Sequence, residues 1–565
     1  MKDSSGDGVQ QQDPILFPTG LHELNAKMVS NKFEDLLSTL GTGKWSFLYF
    51  ICDMYAELLL PAHAMNGVFL APEVKYTCVP PDQPSVAGVS EDSCMYYVNT
   101  TTAEGNTTSQ SFACTDWVFD NTTYEWTLTS EFELVCGRAY LRATYQGIQM
   151  IATILTCSFL GYFCDRYGRK TMLVVTQVAH SVLCLSVVLS YNFTVILLLR
   201  FLQGCFVENV AHSLAMEVCE LKWRSMVGIL IALPWAFGMM AWGAVASILG
   251  NWRWLQLAAA LPLFLRMGFH FFVDESPRWL ILKGREDEAI AVLRKAARWN
   301  GAHLPTDERL REIFREIQLE QKVTMKKEKK EKKQLSDYIP TLLRTPKVRS
   351  ITILLSSVLF TSSIVYAGLT LSGDNYSTDP FLYIVLCGVM EIPGYTVAAP
   401  LINWLGKKKP MFFFLNFCGV AVLALAFIPE DINWLIMSLA MLGKLCNSMA
   451  FMILFVYLNE LFPTEVRMQG IGVGVTMTCV GGAVAPYITD YLGPILPWVP
   501  SVIFGISSIV ASFLLVPLPE TKGRPMLETV EALEGRGPTK DGHEPVKQDR
   551  DSTTPNDEQK QFVEA

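Results

Sequence analysis

The chain has 565 residues, of which 50% are hydrophobic and only 18% are charged. Soluble domains carry about 25% charged residues, so this chain has too few to cover a compact soluble surface. Its net charge of −8 also argues against a nucleic-acid-binding protein, which needs a basic face. The composition indicates an integral membrane protein.

Twelve apolar runs predict an all-α membrane protein with twelve membrane-spanning helices. A bilayer core about 30 Å thick is crossed by about 20 residues of helix, and each run approaches that length. The first 44 residues are polar and lack the apolar core of a signal peptide, so the first span is expected to act as its own insertion signal. The runs lie at 45–70, 141–163, 171–190, 195–218, 226–249, 255–273, 351–371, 380–402, 410–428, 433–457, 470–492 and 498–517.

Polar segments divide the chain and predict its organisation. A six-helix bundle at 45–273 follows an N-terminal segment at 1–44, and a second bundle occupies 351–517. Between them lies a charged linker at 274–350, which is predicted to be helical, and the polar tail at 518–565 is predicted to be disordered. Two six-helix halves joined by a linker are typical of secondary transporters.

The distribution of basic residues predicts the orientation. Loop 71–140, inside the first bundle, holds two basic and ten acidic residues, whereas the linker holds nineteen basic and thirteen acidic ones. Because basic loops stay on the cytoplasmic side, we expect the linker and both termini to be cytoplasmic. The large loop is then extracellular or lumenal.

The large loop carries features of an oxidising compartment. Its four cysteines predict two disulfides, with three pairings open, and its three Asn-X-Thr sequences predict N-glycosylation. The cysteines are Cys78, Cys94, Cys114 and Cys136, and the glycosylation sites are Asn99, Asn106 and Asn121. The other ten cysteines lie in or beside apolar runs without metal-ligand spacing, so neither a metal nor a cofactor is expected.

The turn between the second and third spans predicts a cytoplasmic latch. Gly161 is expected to allow close helix approach, and Gly168 suits a tight turn. Asp165 can pair with basic neighbours in contacts that must break when the cytoplasmic face opens. Those neighbours are Arg166, Arg169 and Lys170. An ordinary positively charged turn is the alternative, and the spacing of the motif favours the latch.

This turn resembles the loop 2–3 signature of the major facilitator superfamily. Three further segments indicate which family within that superfamily the chain resembles. They are Glu275-Ser276-Pro277-Arg278-Trp279-Leu280, Asn459-Glu460-Leu461-Phe462-Pro463-Thr464-Glu465-Val466-Arg467 and Pro519-Glu520-Thr521-Lys522-Gly523. With the cysteine-bearing loop, they make residues 33–525 resemble the organic cation, anion and zwitterion transporters, solute carrier family 22. The resemblance implies a major facilitator fold with two pseudo-symmetric bundles. It also implies a cytoplasmic gate that includes Glu275, Arg278, Glu460 and Arg467.

Two departures from the family pattern concern this gate. Asp274 stands where family members usually have proline. The second-half turn at 403–408 lacks the acidic residue of the first, which predicts weaker ion pairing there.

Ionisable residues inside the membrane are the candidates for substrate binding, because a buried charge is costly. They are Asp53, Glu57, Glu208, Glu217, Glu391 and Lys444. The resemblance implies that Glu391 and Lys444 face the central cavity as partners. Asp53 and Glu57 share one helix face, although positions in solvent near a helix end are the alternative for the acids. His212 is expected to be packed or hydrogen-bonded rather than to carry protons.

Two further positions complete the predicted substrate site. Cys479 stands where the resemblance implies an acid in cation transporters and an arginine in many anion and carnitine transporters. Tyr366 can stack on a cation or pack as an amphipathic residue.

Counted in this way, the embedded acids outnumber a single base, Lys444, and such a cavity favours cations. We therefore predict an alternating-access transporter of small organic cations or zwitterionic amines, such as monoamines, carnitine-like betaines or β-amino acids. A zwitterion gains nothing from the membrane potential and would need a coupling proton, a sodium ion or an exchange substrate.

An organic-anion transporter that uses Lys444 and a transporter-like receptor that moves nothing are the alternatives. An enzyme is not expected, because no nucleophile triad, metal cluster or phosphate loop is present in the sequence. The plasma membrane is the predicted location, although an intracellular membrane would give the same pattern.

Overall fold

The computed structural model describes residues 32–81, 86–90, 93–101, 107–206, 210–319, 341–377, 379–429, 431–463, 466–522 and 530–534. The predicted residues Glu208 and Asn106 lie outside this part of the chain, as does most of the tail. Eleven of the twelve predicted spans coincide with one helix each, and the fourth coincides with two helices on either side of 207–209, which lie outside the described residues. The helices of the spans are labelled α1 to α12 in chain order.

The first bundle comprises α1 (Lys44–Ala64), α2 (Tyr140–Tyr167), α3 (Arg169–Val188), α4 (Phe193–Cys205 and Val210–Glu217), α5 (Leu221–Ile248) and α6 (Trp252–Arg266). The second comprises α7 (Pro346–Leu371), α8 (Pro380–Leu405), α9 (Lys408–Leu425), α10 (Asn433–Leu461), α11 (Arg467–Pro486) and α12 (Trp498–Leu514). Short helices connect or flank them at Lys32–Leu40, Gly67–Leu70, Leu128–Glu131, Cys136–Arg138, Met267–Phe271, Pro277–Leu282, Glu286–Asn300, 307–319, Thr341–Arg344, Gly373–Tyr376, Tyr487–Leu492 and Val530–Glu534.

The long helices have the length and composition of membrane spans. Within the described residues, eight are long and apolar enough to cross a bilayer, and α2, which bends by 53°, makes a ninth. Helices α6 and α12 are shorter, and α1 is interrupted by Asp53 and Glu57. The protein is therefore a multi-span membrane protein built mainly from helices.

The large loop adds β-structure that the all-α prediction did not include. Strands β1 (Tyr76–Cys78) and β5 (Trp117–Phe119) form one antiparallel pair, and β2 (Val86–Val89), β3 (Met95–Thr101) and β4 (Thr107–Ala113) form a three-stranded antiparallel sheet. β-Branched and aromatic residues in these short segments favour strands. Disulfides Cys78–Cys114 and Cys94–Cys136 join the segments, which selects one of the three pairings left open by the sequence.

Different segments of the chain cover the two ends of the helical bundles. The loop side carries the disulfide-bonded loop, and the linker side carries the helices of the 277–319 segment. On the linker side, the helix Lys32–Leu40 buries Phe33 and Leu37 in the same core as Leu293 and Phe314 of the linker. The side chain of Asn300 ties this helix to the start of α1, since it donates to the Gly41 carbonyl (2.9 Å) and accepts from the Trp45 amide (3.0 Å).

Part of the predicted disordered tail is ordered. The short helix Val530–Glu534 packs beside the start of α7, where Val530 is buried. Glu534 Oε1 accepts hydrogen bonds from the amides of Lys347 (2.8 Å) and Val348 (3.4 Å). The first amides of a helix have no partner within the helix, so a carboxylate at this position stabilises α7 and orders the segment.

Candidate functional site

A buried ion pair lies in the membrane part of the second bundle. Lys444 Nζ of α10 lies 2.9 Å from Glu391 Oε1 of α8, and both side chains are essentially inaccessible to solvent. The ammonium also donates to Thr370 Oγ1 of α7 (2.7 Å). Because an unpaired charge in a membrane is costly, this pairing explains how both residues are tolerated at this depth.

Aromatic side chains surround this pair. The Lys444 ammonium lies 3.4 Å from the centroid of the Tyr366 ring, which also stacks on Phe451 at 5.2 Å. Trp235 of α5 donates its indole N–H to the Tyr366 hydroxyl (3.2 Å), a contact that crosses from one bundle to the other. In this conformation, the cation beside Tyr366 is Lys444 itself.

A second cluster of charges lies in the first bundle. Asp53 of α1 is 1% exposed, and its Oδ2 lies 3.1 Å from His212 Nδ1 of α4. Arg266 of α6 is also buried and interacts electrostatically with Asp53 and Glu57. His212 is half-exposed and lines a linker-side cavity of about 260 Å³.

Glu57 differs from the other membrane acids. It lies one turn beyond Asp53 on α1, is only partly buried, and forms no hydrogen bond or ion pair within the described part of the chain. Its charge also acts on Tyr395 of α8 in the second bundle. Glu57 therefore lies where its charge acts on both bundles, on Arg266 of the first and on Tyr395 of the second.

On the linker side, the first-half turn forms a network within its own bundle. Arg169 pairs with Asp165 (2.9 Å) and with Glu217 at the end of α4 (3.0 Å). Glu275 Oε1 accepts hydrogen bonds from the amides of Arg169 (2.8 Å) and Lys170 (3.0 Å), and so caps α3.

The second half repeats this network with one charge missing. Lys407 pairs with Glu460 at the end of α10, as Arg169 pairs with Glu217. Glu520 accepts hydrogen bonds from the amides of Lys407 (3.2 Å) and Lys408 (3.0 Å), and so caps α9. Asn403 stands three residues before its glycine, in the place of Asp165. The second network therefore lacks the ion pair that Asp165 makes in the first, but it keeps the pair with the end of the neighbouring helix and the carboxylate cap.

On the loop side, contacts join the two bundles. Arg142 of α2 donates to the Asp490 carbonyl after α11 (3.1 Å) and lies 3.9 Å from the Glu73 carboxylate. The hydroxyls of Thr144 and Tyr487 hydrogen-bond at 3.1 Å. A Cβ at Gly147 would lie 2.9 Å from the Ala483 carbonyl, so only glycine lets α2 and α11 approach this closely.

Comparisons with known proteins agree on one family. The family model for sugar (and other) transporters matches residues 98–533. The organic cation transporter protein of Drosophila melanogaster is 30% identical over 530 residues, which cover 89% of this chain and 95% of that protein. Solute carrier family 22 member 3 of Rattus norvegicus is 33% identical over 75% of this chain and 74% of its own length. The chain belongs to solute carrier family 22.

Solved structures confirm the fold. The xylose transporter XylE from E. coli, in an inward open conformation, superposes with a TM-score of 0.56 at 16% identity, over 88% of this chain and 98% of that one. The solute carrier therefore has the major facilitator fold predicted from its sequence, and its relatives are membrane transporters rather than enzymes.

The predicted charge balance of this solute carrier is wrong. Lys444 is not the single embedded base, because Arg142, Arg200 and Arg266 are buried on α2, α4 and α6. Arg200 donates to the His63 carbonyl (2.7 Å) and lies over the Tyr145 ring. All three arginines stand inside predicted spans, so the sequence contained the signal that finds them.

Three predicted roles also need revision. Glu217 does not contribute to a central substrate site, since it lies at the linker-side end of α4 and pairs with Arg169. Gly161 does not serve close helix packing in this conformation, because a Cβ there would meet no atom within 4 Å. Arg166 is not an ion-pair partner of Asp165 here, since its guanidinium donates to the Tyr162 hydroxyl (3.2 Å).

The remaining predicted residues occupy the expected elements. His212 is hydrogen-bonded, as predicted, and Cys479 lies partly buried on α11. On the linker side, the Arg278 guanidinium lies over the Phe33 ring and Arg467 begins α11. In the loop, Asn99 and Asn121 are exposed, and their glycosylation stays a prediction.

Proposed function

We propose that this solute carrier moves small organic cations or zwitterionic amines across the membrane by alternating access. The observation that carries the proposal is the partly exposed Glu57 carboxylate, which forms no hydrogen bond or ion pair in the described structure and interacts with Tyr395 of the second bundle. A carboxylate of this kind attracts a positively charged amine and repels a plain anion.

The state of Lys444 supports the same substrate class. Its ammonium is inaccessible to solvent and neutralised by Glu391 at 2.9 Å. Binding a substrate carboxylate at Lys444 would require this pair to break, which leaves Glu391 buried without a partner. A zwitterionic amine that places its ammonium at Glu57 avoids that cost.

The contacts between the bundles support alternating access. Loop-side contacts at Arg142 and Thr144 hold α2 against α11, whereas the Arg169 and Lys407 networks each lie within one bundle. We infer that this conformation opens to the linker side. In the opposite state, the two networks meet and the loop-side contacts separate.

Topology and location complete the proposal. We place the linker and both termini in the cytoplasm and the disulfide-bonded loop outside the cell, in the plasma membrane. The basic linker and the exposed Asn99 and Asn121 support this orientation.

Uptake in cells tests the substrate class. We would compare a labelled permanent cation, a zwitterion and an organic anion in wild type, Glu57→Gln and Glu220→Gln, with surface expression measured for each. Glu220 is a matched control, because it precedes α5 at the linker-side end. Uptake of the cation or zwitterion that Glu57→Gln lowers at least tenfold, and Glu220→Gln preserves, is the expected result. Uptake of the anion alone, unchanged by Glu57→Gln, would contradict the proposal.

An organic anion is the second candidate, and Arg266 is the observation that favours it. This buried arginine lies close to Asp53 and Glu57 and offers a positive charge. The anion arm of the uptake experiment, repeated with Arg266→Gln, distinguishes it from the first.

A further inference from the structure

Two histidines and a cysteine meet in the interior of the first bundle. His63 lies near the end of α1, and His180 and Cys184 lie one turn apart on α3. The exposed fractions of the three residues are 2%, 5% and 0%. One candidate ligand atom of each residue lies within 4.8 Å of the other two. Residues four apart on a helix share a face, so α3 presents two potential metal ligands to the one on α1.

The atoms of this cluster are spaced like the ligands of one metal ion. Cys184 Sγ lies 3.8 Å from His63 Nδ1, and the rings of His63 and His180 meet edge to face with their centroids 5.1 Å apart. A sulfur and a nitrogen bound to one ion at about 2.3 and 2.0 Å, in a trigonal arrangement, are about 3.7 Å apart. A small rotation of the His180 ring is then enough to close a site of three ligands.

The histidine rings are also oriented as metal ligands are. A metal-bound histidine typically donates its second ring N–H to a backbone carbonyl or a carboxylate. The Gln203 carbonyl interacts with the His180 ring, and the Ala259 carbonyl interacts in the same way with His63. His180 Nδ1 makes no hydrogen bond within the described part of the chain. With the ring N–H on the other nitrogen, Nδ1 offers its lone pair to a metal.

A hydrogen bond from the Cys184 thiol to His63 Nδ1 is the alternative to a metal ion. It accounts for the 3.8 Å contact, but it leaves His180 Nδ1 buried without a partner among the described residues. A buried polar atom without a partner is costly, whereas a metal ion binds all three ligand atoms. The metal therefore explains more of the cluster than the hydrogen bond does.

The charge of the neighbouring Arg200 indicates which metal the cluster would bind. Arg200 of α4 is buried and interacts electrostatically with both histidines and with Cys184. A copper(I) ion that displaces the thiol proton leaves the charge of the cluster unchanged, whereas a zinc(II) ion adds a positive charge beside Arg200 inside the membrane. Copper(I) also prefers soft thiolate ligands, and structural zinc usually takes four ligands. Copper(I) therefore fits this cluster better than zinc(II).

We propose that His63, His180 and Cys184 bind one copper(I) ion, which ties α1 to α3 inside the first bundle. Binding forms one Cu–S and two Cu–N bonds and releases the thiol proton to water, with no change of oxidation state. Because the cluster is enclosed, the ion has a structural role. Its ligands belong to one bundle, so the ion leaves movement between the bundles free. The inference goes beyond the proposed function and does not depend on the substrate.

Metal analysis of the purified full chain tests the site, after the affinity tag has been removed. The protein is incubated with copper(I) in a reducing, oxygen-free buffer and dialysed against a copper(I) chelator, and the retained copper is measured by mass spectrometry. We expect one copper ion per chain. Its X-ray absorption spectrum should show a three-coordinate ion with one sulfur and two nitrogen ligands. Zinc(II) supplied in the same way should not be retained.

Variants connect the retained copper to the cluster. Cys184→Ser and His180→Gln are expected to lower the retained copper at least tenfold. Cys446→Ser, which removes a buried thiol from α10 in the second bundle, is the matched control and should retain it. Copper(I) should also raise the melting temperature of the wild type and of Cys446→Ser, but not that of Cys184→Ser.

Three results would overturn the copper site. They are equal retention of copper by Cys184→Ser, a wild-type spectrum without nitrogen ligands, and retention of zinc(II) in preference to copper(I). The spectrum of the wild type decides the question if a variant does not fold. Because bound metal is measured rather than transport, the result is independent of whether the proposed function holds.

Discussion

Single side chains in the membrane part are stabilised by specific partners, and Lys444 is the clearest example. Replacing Lys444 with methionine leaves Glu391 buried without its counter-ion, which costs about 3–5 kcal/mol. We expect Lys444→Met to lower the melting temperature of the purified protein sharply. The double variant Lys444→Met/Glu391→Gln should recover most of the loss, because neither charge remains.

Lys409→Ala is the matched control for this experiment, since Lys409 is exposed at the linker side. A melting temperature that is unchanged in Lys444→Met would show that the buried pair contributes nothing to stability. A double variant as unstable as the single one would show that the damage comes from packing rather than charge.

Glu131 gives a prediction for pH dependence on the loop side. Burial raises its pKa, but hydrogen bonds from Arg253, Trp252 and Trp126 outweigh that effect and leave the pKa below its ordinary value of 4.5. A lowered pKa in the folded state stabilises the protein above the unfolded pKa, and the stabilisation is lost as the pH falls through the folded value.

The measurement is the melting temperature of wild type and Glu131→Gln between pH 7 and pH 3. We expect the variant to be less stable at pH 7 by an amount that is constant down to about pH 5, because the carboxyl of the unfolded chain has the ordinary pKa of 4.5. The gap should close below that range. A gap that is the same at pH 3 as at pH 7 would contradict the role of the ionised carboxylate.

Single residues of the site could be predicted from the sequence where a charged residue interrupts an apolar run. Lys444 and Glu391 stand out in apolar runs, and the structure pairs them. Arg200 and Arg266 stand out in the same way, and leaving them out of the charge count made the cavity look more acidic than it is. The pairing of Asp53 with His212 joins α1 to α4, and no spacing within either helix specifies it.

At the scale of elements, the turn between α2 and α3 depends on one glycine. Gly168 has φ +104°, and a Cβ there would lie 2.3 Å from Oε2 of Glu275, the residue whose Oε1 caps α3. With ψ 153°, this is a backbone conformation open essentially only to glycine, so we expect Gly168→Ala to destabilise the purified protein by about 1–3 kcal/mol from backbone conformation alone. Displacement of Glu275 adds to this cost and lowers the rate of transport.

Gly161→Ala is the matched control, because Gly161 is helical and open space surrounds it. Alanine is the better helix former by about 1 kcal/mol, so this variant should equal or exceed the wild type in melting temperature. Equal destabilisation by both substitutions would contradict the account of the turn.

The contacts of the two linker-side networks could be predicted from the sequence only in part. The missing acid in the second-half turn is visible at Asn403, and the structure lacks that ion pair. The sequence did not indicate that Glu460 would still pair with Lys407, because that contact joins α8–α9 to the end of α10. It also did not indicate a role for Asp274, which pairs with Lys295 (2.7 Å) and ties the linker to the first bundle.

At the scale of the molecule, helix number and family were predictable because each span has its own apolar run and each gate motif is contiguous. Which surfaces of the bundles meet was not predictable, since it depends on contacts such as Gly147 with Ala483 between distant segments. The conformation matters for function, because it leaves Glu57 partly exposed while Lys444 is enclosed.

Counterflow with purified protein in liposomes tests the central claim most directly. Vesicles are loaded with unlabelled tetraethylammonium at constant pH and zero potential, and uptake of the labelled cation is followed. We predict a transient overshoot of label in the wild type and in Glu220→Gln, and its loss in Glu57→Gln. An overshoot of equal size in Glu57→Gln, with the protein folded, would contradict the claim that this carboxylate binds the transported cation.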